Sequence, residues 1–151
     1  MIIGYCDGLC EPKNPEGIVA YGFYIVINNQ IIYKEAKVIG EGKGMSNNVG
    51  EYVGLINMLK YLINNNYTNE EIIIKSDSML LVNQMNELWG CRGGYYVKYY
   101  LEAKELKSKF KNIKFVWIPR EQNYIADLLS REAYEKYCRE RKYEVKYMRK
   151  E

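Results

Sequence analysis

Apolar and polar positions fall into blocks that outline an order of elements. Ile2–Cys6 is a short apolar run stopped by Asp7-Gly8, the pattern of a strand entering a turn. A loop holding Pro12, Asn14, Pro15 and Gly17 follows, and the β-branched, aromatic stretch 18–28 predicts a second strand. Asn28-Asn29 reads as a hairpin turn into a third strand over 30–38, after which Gly40, Gly42 and Gly44 predict a flexible connection. Ser46-Asn47-Asn48 supplies capping residues before a helical pattern with apolar positions at Tyr52, Leu55, Ile56, Leu59, Leu62 and Ile63. Ile72-Ile73-Ile74 is the core of a buried strand over 71–75 that ends at Ser76-Asp77-Ser78. Ser78 can cap a helix over 79–88, and Gly90–Gly94 breaks the chain. A basic amphipathic helix is predicted over 96–110, then a strand over 112–118 stopped by Pro119. Asn123 is placed to cap a last helix running to about Arg141.

The order β-β-β-α-β-α-α-β-α describes an α/β domain, a mixed sheet with an antiparallel start and helices around it. No internal repeat, low-complexity segment or linker interrupts it. One compact body over 1–142 is expected, with a basic tail over 143–151 that the pattern leaves as an extra strand, a substrate arm or disorder.

Composition narrows the class. The chain has 151 residues, 48% of them hydrophobic and 14% aromatic, which suits one core and argues against both disorder and a second domain. No apolar run approaches the roughly 20 residues of a membrane span. The start lacks the basic region of a signal peptide, so an intracellular, cytoplasmic protein without a membrane partner is expected, and a monomer. Asn66-Tyr67-Thr68 matches a glycosylation acceptor, a chance match in that setting.

The chain contains no histidine, which excludes Ser-His-Asp triads, Cys-His dyads and His-ligated zinc. Of four cysteines, Cys6 and Cys10 could offer two thiolates, but no second close pair completes a four-thiolate site, and buried thiols are the plainer reading. A Cys91–Cys138 bridge stays open, against the grain of a reducing cytosol. The net charge of +3 is unevenly spread. Residues 90–114 carry seven basic side chains against two acidic ones, and 138–151 carry six against three, leaving the remainder acidic. That separation suits a polyanion bound beside a carboxylate-lined, cation-holding site, or simply a solvated lysine-rich helix face.

Four acids stand out by position. Asp7 and Asp77 end apolar strands, where open α/β sheets form their ligand crevice. Glu51 lies near the start of the first helix and Asp127 in the first turns of the last. Their neighbours Cys6, Val53, Ile74, Ala126 and Leu128 are apolar and expected to be buried. Convergent carboxylates repel, so such a cluster must bind protons or cations. Oxygen-only ligation suits Mg²⁺ or Mn²⁺, and two ions about 4 Å apart could activate water and hold a phosphodiester without any imidazole.

These residues resemble the type 1 ribonucleases H, and especially their histidine-less archaeal branch. The resemblance runs from Ile2 to about Tyr137. It is carried by Asp7-Gly8 with Asn14-Pro15, Ser46-Asn47-Asn48 with Glu51, Asp77-Ser78 with Val82, Gln84 and Trp89, and Pro119-Arg120-Glu121-Gln122-Asn123 with Ala126-Asp127. It implies a ribonuclease H-like fold, with a five-stranded mixed sheet whose first three strands are antiparallel. It implies hydrolysis of the RNA strand of RNA–DNA hybrids, leaving 3′-hydroxyl and 5′-phosphate ends, with double-stranded RNA a further candidate substrate. Asp7 would bridge two ions, Glu51 and Asp77 would complete one site, and Asp127 would hold the second ion. Gly8, Asn14, Ser46, Asn47, Asn48, Ser78 and Arg120 would contact the substrate, amides and hydroxyls suiting the 2′-hydroxyl that DNA lacks.

The sequence also departs from the family. Where many members carry a loop histidine, this chain reads Pro119-Arg120-Glu121-Gln122-Asn123, and Arg120 cannot shuttle protons near neutrality. Between Trp89 and Tyr100, Trp89 and half of the tyrosines are expected in the core, with Arg92 and Lys98 at the substrate. The Lys104–Lys114 face would stand in for a dedicated basic protrusion. The competing reading is a catalytically silent module that binds hybrid or duplex RNA.

Overall fold

The computed structural model describes residues 1–148. Five strands form one sheet: β1 (Ile2–Glu11), β2 (Ile18–Ile27), β3 (Gln30–Glu41), β4 (Glu71–Ser76) and β5 (Asn112–Trp117). The helices are α1 (Asn47–Asn64), α2 (Met79–Met85), α3 (Val97–Lys107) and α4 (Tyr124–Glu140), with a 3-10 turn over Arg120–Asn123 before the last. Sheet order is β3-β2-β1-β4-β5; β1–β2 and β2–β3 pair antiparallel, β1–β4 and β4–β5 parallel. The expected mixed sheet, with three antiparallel strands first, is what the chain forms.

The β2–β3 hairpin closes as anticipated, Asn28 and Asn29 both taking positive φ, 53° and 63°, as a tight hairpin turn of this kind demands. Ser46 caps α1 by accepting from the Val49 N–H, and Ser78 caps α2 by accepting from Leu81. The apolar stripe of α1 buries Tyr52, Leu55, Ile56, Leu59 and Leu62 against one sheet face, where Phe23, Ile25, Ile72 and Ile74 complete the main core. On the opposite face α4 packs over β1–β3 around a smaller cluster of Leu9, Ile18, Ala20, Tyr134 and Cys138.

Several expectations need correction. β1 does not stop at Asp7. Its parallel pairing with β4 ends at Cys6–Ser76, but its antiparallel pairing with β2 runs on to Glu11, so Asp7 sits in mid-strand where the sheet narrows. β3 reaches Glu41 and takes in Gly40, because β2 offers a partner that far. α2 ends at Met85 rather than Leu88, and α3 spans only 97–107, with Ala103 its one buried residue. Trp89 is not core: it is 47% exposed. Of the neighbouring tyrosines, Tyr96 is buried, stacked on Tyr52, while Tyr95 reaches across the surface to Glu16. Leu128 points to solvent, although Ala126 is buried as expected.

All four cysteines are free, which removes the Cys91–Cys138 bridge; Cys6, Cys10 and Cys138 are buried thiols. The tail forms no strand over its described part. It folds back on the body, with the Tyr143 hydroxyl donating to Glu41, the Met148 N–H to Glu11, and the Tyr134 hydroxyl to the Lys146 carbonyl. Arg149 and Lys150 lie outside the described residues. Among those described, no helix is long and apolar enough to cross a membrane.

Candidate active site

The sheet's alternation decides where each acid points. Asp7 pairs with Gly22, and both face the α4 side. A Cβ on Gly22 would lie 2.6 Å from the Leu129 Cβ and 2.7 Å from the Ala126 carbonyl oxygen, so the glycine is what lets α4 approach and bring Asp127 in. Gly8 faces the other way, against α1. A Cβ there would meet the Glu51 nitrogen at 2.5 Å, so this glycine lets the start of α1 close on β1 and carry Glu51 to Asp7. Asp77 arrives at the end of β4, where the Trp117 indole N–H donates to its carbonyl at 3.2 Å.

Asp7, Glu51 and Asp77 each offer a carboxylate oxygen within 4.8 Å of the others. Asp127 does not belong to that tight group but lines the same cleft of about 500 Å³. Asp7 and Glu51 are only 7% and 5% exposed. Burial, then the charges of Asp77 and Asp127, pushes the Asp7 carboxyl well above the usual carboxylate range. Burial, then Asp7 and Asp77, does the same to Glu51, and burial together with these acids raises the Cys6 thiol beneath them. The Asp7 carboxylate accepts from the Gly8 N–H at 2.9 Å, while Glu51 Oε1 is buried without a hydrogen-bond partner among the described residues. An unpartnered oxygen facing other carboxylates is suited to a hard cation, and the all-oxygen donor set fits Mg²⁺ or Mn²⁺.

The remaining expected site residues divide. Gly8, Asn14, Asn47, Ser78 and Arg120 line the cleft with the acids, and the Asn14 carboxamide accepts from the Asn47 N–H at 3.0 Å, joining the loop after β1 to the start of α1, 33 residues on. Ser46 and Asn48 do not line it; the Ser46 hydroxyl is committed to capping α1. Gln84, part of the motif after Asp77, serves the core instead. It accepts from Tyr52 and donates to Tyr96 and to the Gly90 carbonyl, tying α1 and α2 to the segment entering α3. The Lys104–Lys114 face is partly spent, since Lys104 and Lys107 lie 3.5 and 3.6 Å from Glu87.

Two contributors escaped the sequence pattern. Asn123 makes no side-chain cap; 1% exposed, it donates to the Cys6 carbonyl and to Asp77 Oδ1, both at 2.9 Å, joining β1, β4 and the start of α4. Arg131 pairs with Asp127 one helical turn away, a spacing visible in the sequence.

The sheet order, the two-sided helix cover and the acid cluster over β1 and β4 together define a ribonuclease H-like domain. Residues 6–133 match the model of the reverse transcriptase-like family, and the chain belongs to that family. The fold matches the N-terminal RNase H domain of Rv2228c from Mycobacterium tuberculosis with a TM-score of 0.81 at 28% identity, covering 92% of this chain and 96% of that one. LC11-RNase H1, solved in complex with an RNA/DNA hybrid, matches with a TM-score of 0.81 at 30% identity over 91% and 99% of the two chains. RNase H1 from the halophilic archaeon Halobacterium salinarum gives 0.78 at 26% over 89% and 98%. Against the whole Mycobacterium tuberculosis protein, named bifunctional protein Rv2228c, identity is 32% over 122 residues; the match covers 80% of this chain but spans only 32% of that relative's length.

Proposed function

We propose that this chain is a metal-dependent endonuclease that hydrolyses the RNA strand of RNA–DNA hybrids, leaving 3′-hydroxyl and 5′-phosphate ends. The observation that carries the reading is the trio Asp7, Glu51 and Asp77, oxygens within 4.8 Å, set in an open cleft of a fold shared with ribonucleases H. Asp7, Glu51 and Asp77 would hold one ion, and Asp7 with Asp127 a second, each Mg²⁺ or Mn²⁺. Bound there, such ions supply an activated water and neutralise charge on the scissile phosphate and the leaving oxygen.

The chain's own residues do the rest. Asn123 fixes the Asp77 carboxylate from behind. Gly8, Asn14 and Asn47 present backbone and carboxamide groups where a 2′-hydroxyl could both donate and accept, which selects RNA over DNA. Ser78 and Arg120 line the cleft where a phosphate would pass, with Ser46 and Asn48 just outside it. Arg120 binds charge but moves no proton. A cytoplasmic monomer with body 1–142 and tail 143–151 is the working description, and duplex RNA is the second substrate to try.

The test is cleavage of an end-labelled RNA–DNA hybrid, beside duplex RNA and duplex DNA, with Mg²⁺, Mn²⁺ or EDTA. Metal-dependent cutting confined to the RNA strand, lost in Asp77→Asn, is the expected result. A folded chain that binds hybrid yet never cuts it with either ion would make it a binding module instead.

A further inference from the structure

Among the described residues, Asp127 is the one acid of the four with a basic side chain bound to it. Arg131 Nε lies 3.2 Å from each of its carboxylate oxygens. The guanidinium is held in turn: its carbon sits 5.3 Å from the centre of the Tyr147 ring, and the Tyr147 hydroxyl donates to Glu135 at 2.6 Å. Tyr147 packs edge-on against the buried Tyr134 at 5.2 Å, and with Met148 and Arg131 it lines the same cleft as the acids. The tail therefore forms a wall of the site and pins an arginine onto one metal-ligand candidate.

We propose that Arg131 is a positioning residue that acts as a built-in counter-cation for Asp127, held by Tyr147, so that a divalent ion taking Asp127 as ligand must displace it. The inference rests on the metal-dependent reading above. A carboxylate already neutralised by a guanidinium is a poorer cation ligand, whereas Asp7, Glu51 and Asp77 face one another across 4.8 Å or less. The two halves of the site are thus unequal by construction. The trio loads first, and the Asp127 half loads only when the ion outcompetes Arg131.

Calorimetric titration of the full chain with Mn²⁺ alone tests this without any substrate. Arg131→Gln, which keeps a polar side chain but drops the charge, should tighten the weaker binding step about two- to fivefold, the range set by a partly exposed ion pair of up to about 1 kcal/mol. Tyr147→Leu should shift the same step in the same direction by less. In an Asp127→Asn background the Arg131→Gln effect should vanish. Circular dichroism confirms that each variant is folded, and Arg131→Lys, with a charge but no planar fork, should fall between wild type and Arg131→Gln. An unchanged or weakened second step in folded Arg131→Gln overturns the proposal while leaving the metal site standing. A wild-type chain that takes up no Mn²⁺ overturns both.

Discussion

Replacing Asp77 by asparagine should abolish hydrolysis and yet stabilise the metal-free protein. Its carboxylate offers an oxygen within 4.8 Å of both Asp7 and Glu51. One like-charge pair at that distance costs about 1 kcal/mol in a water-like dielectric and about 3 kcal/mol at an effective dielectric near 20. Asp77 faces two partners, but burial holds both above the usual carboxylate range, which weakens the repulsion as the pH falls. A net gain of about 1–3 kcal/mol is expected, which for a domain of this size raises Tm by roughly 3–9 °C. The substitution costs little else, since an asparagine can keep its carbonyl oxygen toward Asn123 Nδ2, as Asp77 Oδ1 does at 2.9 Å. The pH dependence has a definite sign. Asp7 and Glu51 are raised in the folded chain, so their contribution to stability is fully present below the ordinary carboxylate range. It is lost as the pH rises through their folded values. Metal-free wild type should therefore lose stability as the pH rises through those folded values, and the advantage of Asp77→Asn should be largest at alkaline pH and shrink as the pH falls through them. Thermal unfolding in EDTA followed by circular dichroism measures both. With excess Mn²⁺ the order should reverse, because wild type alone gains the full binding energy. A variant whose Tm in EDTA at alkaline pH equals or falls below that of wild type would refute the confrontation of these acids.

Protons and cations compete for the oxygens of Asp7 and Glu51, so raising Mn²⁺ should move the acid limb of the rate–pH profile to lower pH. Initial rates at several Mn²⁺ concentrations check this, and a limb that stays fixed would place the controlling proton elsewhere. Gly8→Ala puts a Cβ 2.5 Å from the Glu51 nitrogen and 2.6 Å from the Gly50 carbonyl carbon, both backbone atoms that cannot swing aside as a flexible side chain would. It should cost about 1–3 kcal/mol in urea unfolding and lower the cleavage rate by moving Glu51, and a neutral result would show that α1 can retreat freely.

Much of this was legible in the chain because period and punctuation agreed. The Ile72–Ile74 run, the Asn28-Asn29 turn and the Ser46 and Ser78 caps are local signals, and each formed the element it predicts. The four acids could be picked out because strand ends and helix starts gather at one edge of such a sheet. Pairing across the sheet is not local. Whether β1 ends at Asp7 depends on how far β2 runs beside it, and β2 is read from a different part of the sequence. Trp89 and Leu128 look like core in a linear pattern, but α2 ends four residues before Trp89 and α4 turns Leu128 outward. Asn123 was visible as a helix-start residue, but its side chain answers to Cys6 and Asp77, which lie 117 and 46 residues away.

What holds the acids together also explains why they would take a cation. They are brought in by the close approach of backbone at Gly8 and Gly22, backed by apolar packing on both faces of the sheet, rather than by donors aimed at their oxygens. Among the described residues Asp7 receives one backbone N–H, Asp77 one carboxamide and Asp127 one arginine, while Glu51 Oε1 is left without a partner. A chain without histidine has no imidazole to share the protons of such a cluster. The repulsion that Arg131 does not offset is relieved by protonating these carboxyls or by binding divalent ions. On the proposed reading the first silences the site and the second arms it, so the packing that positions the acids would also make activity conditional on metal.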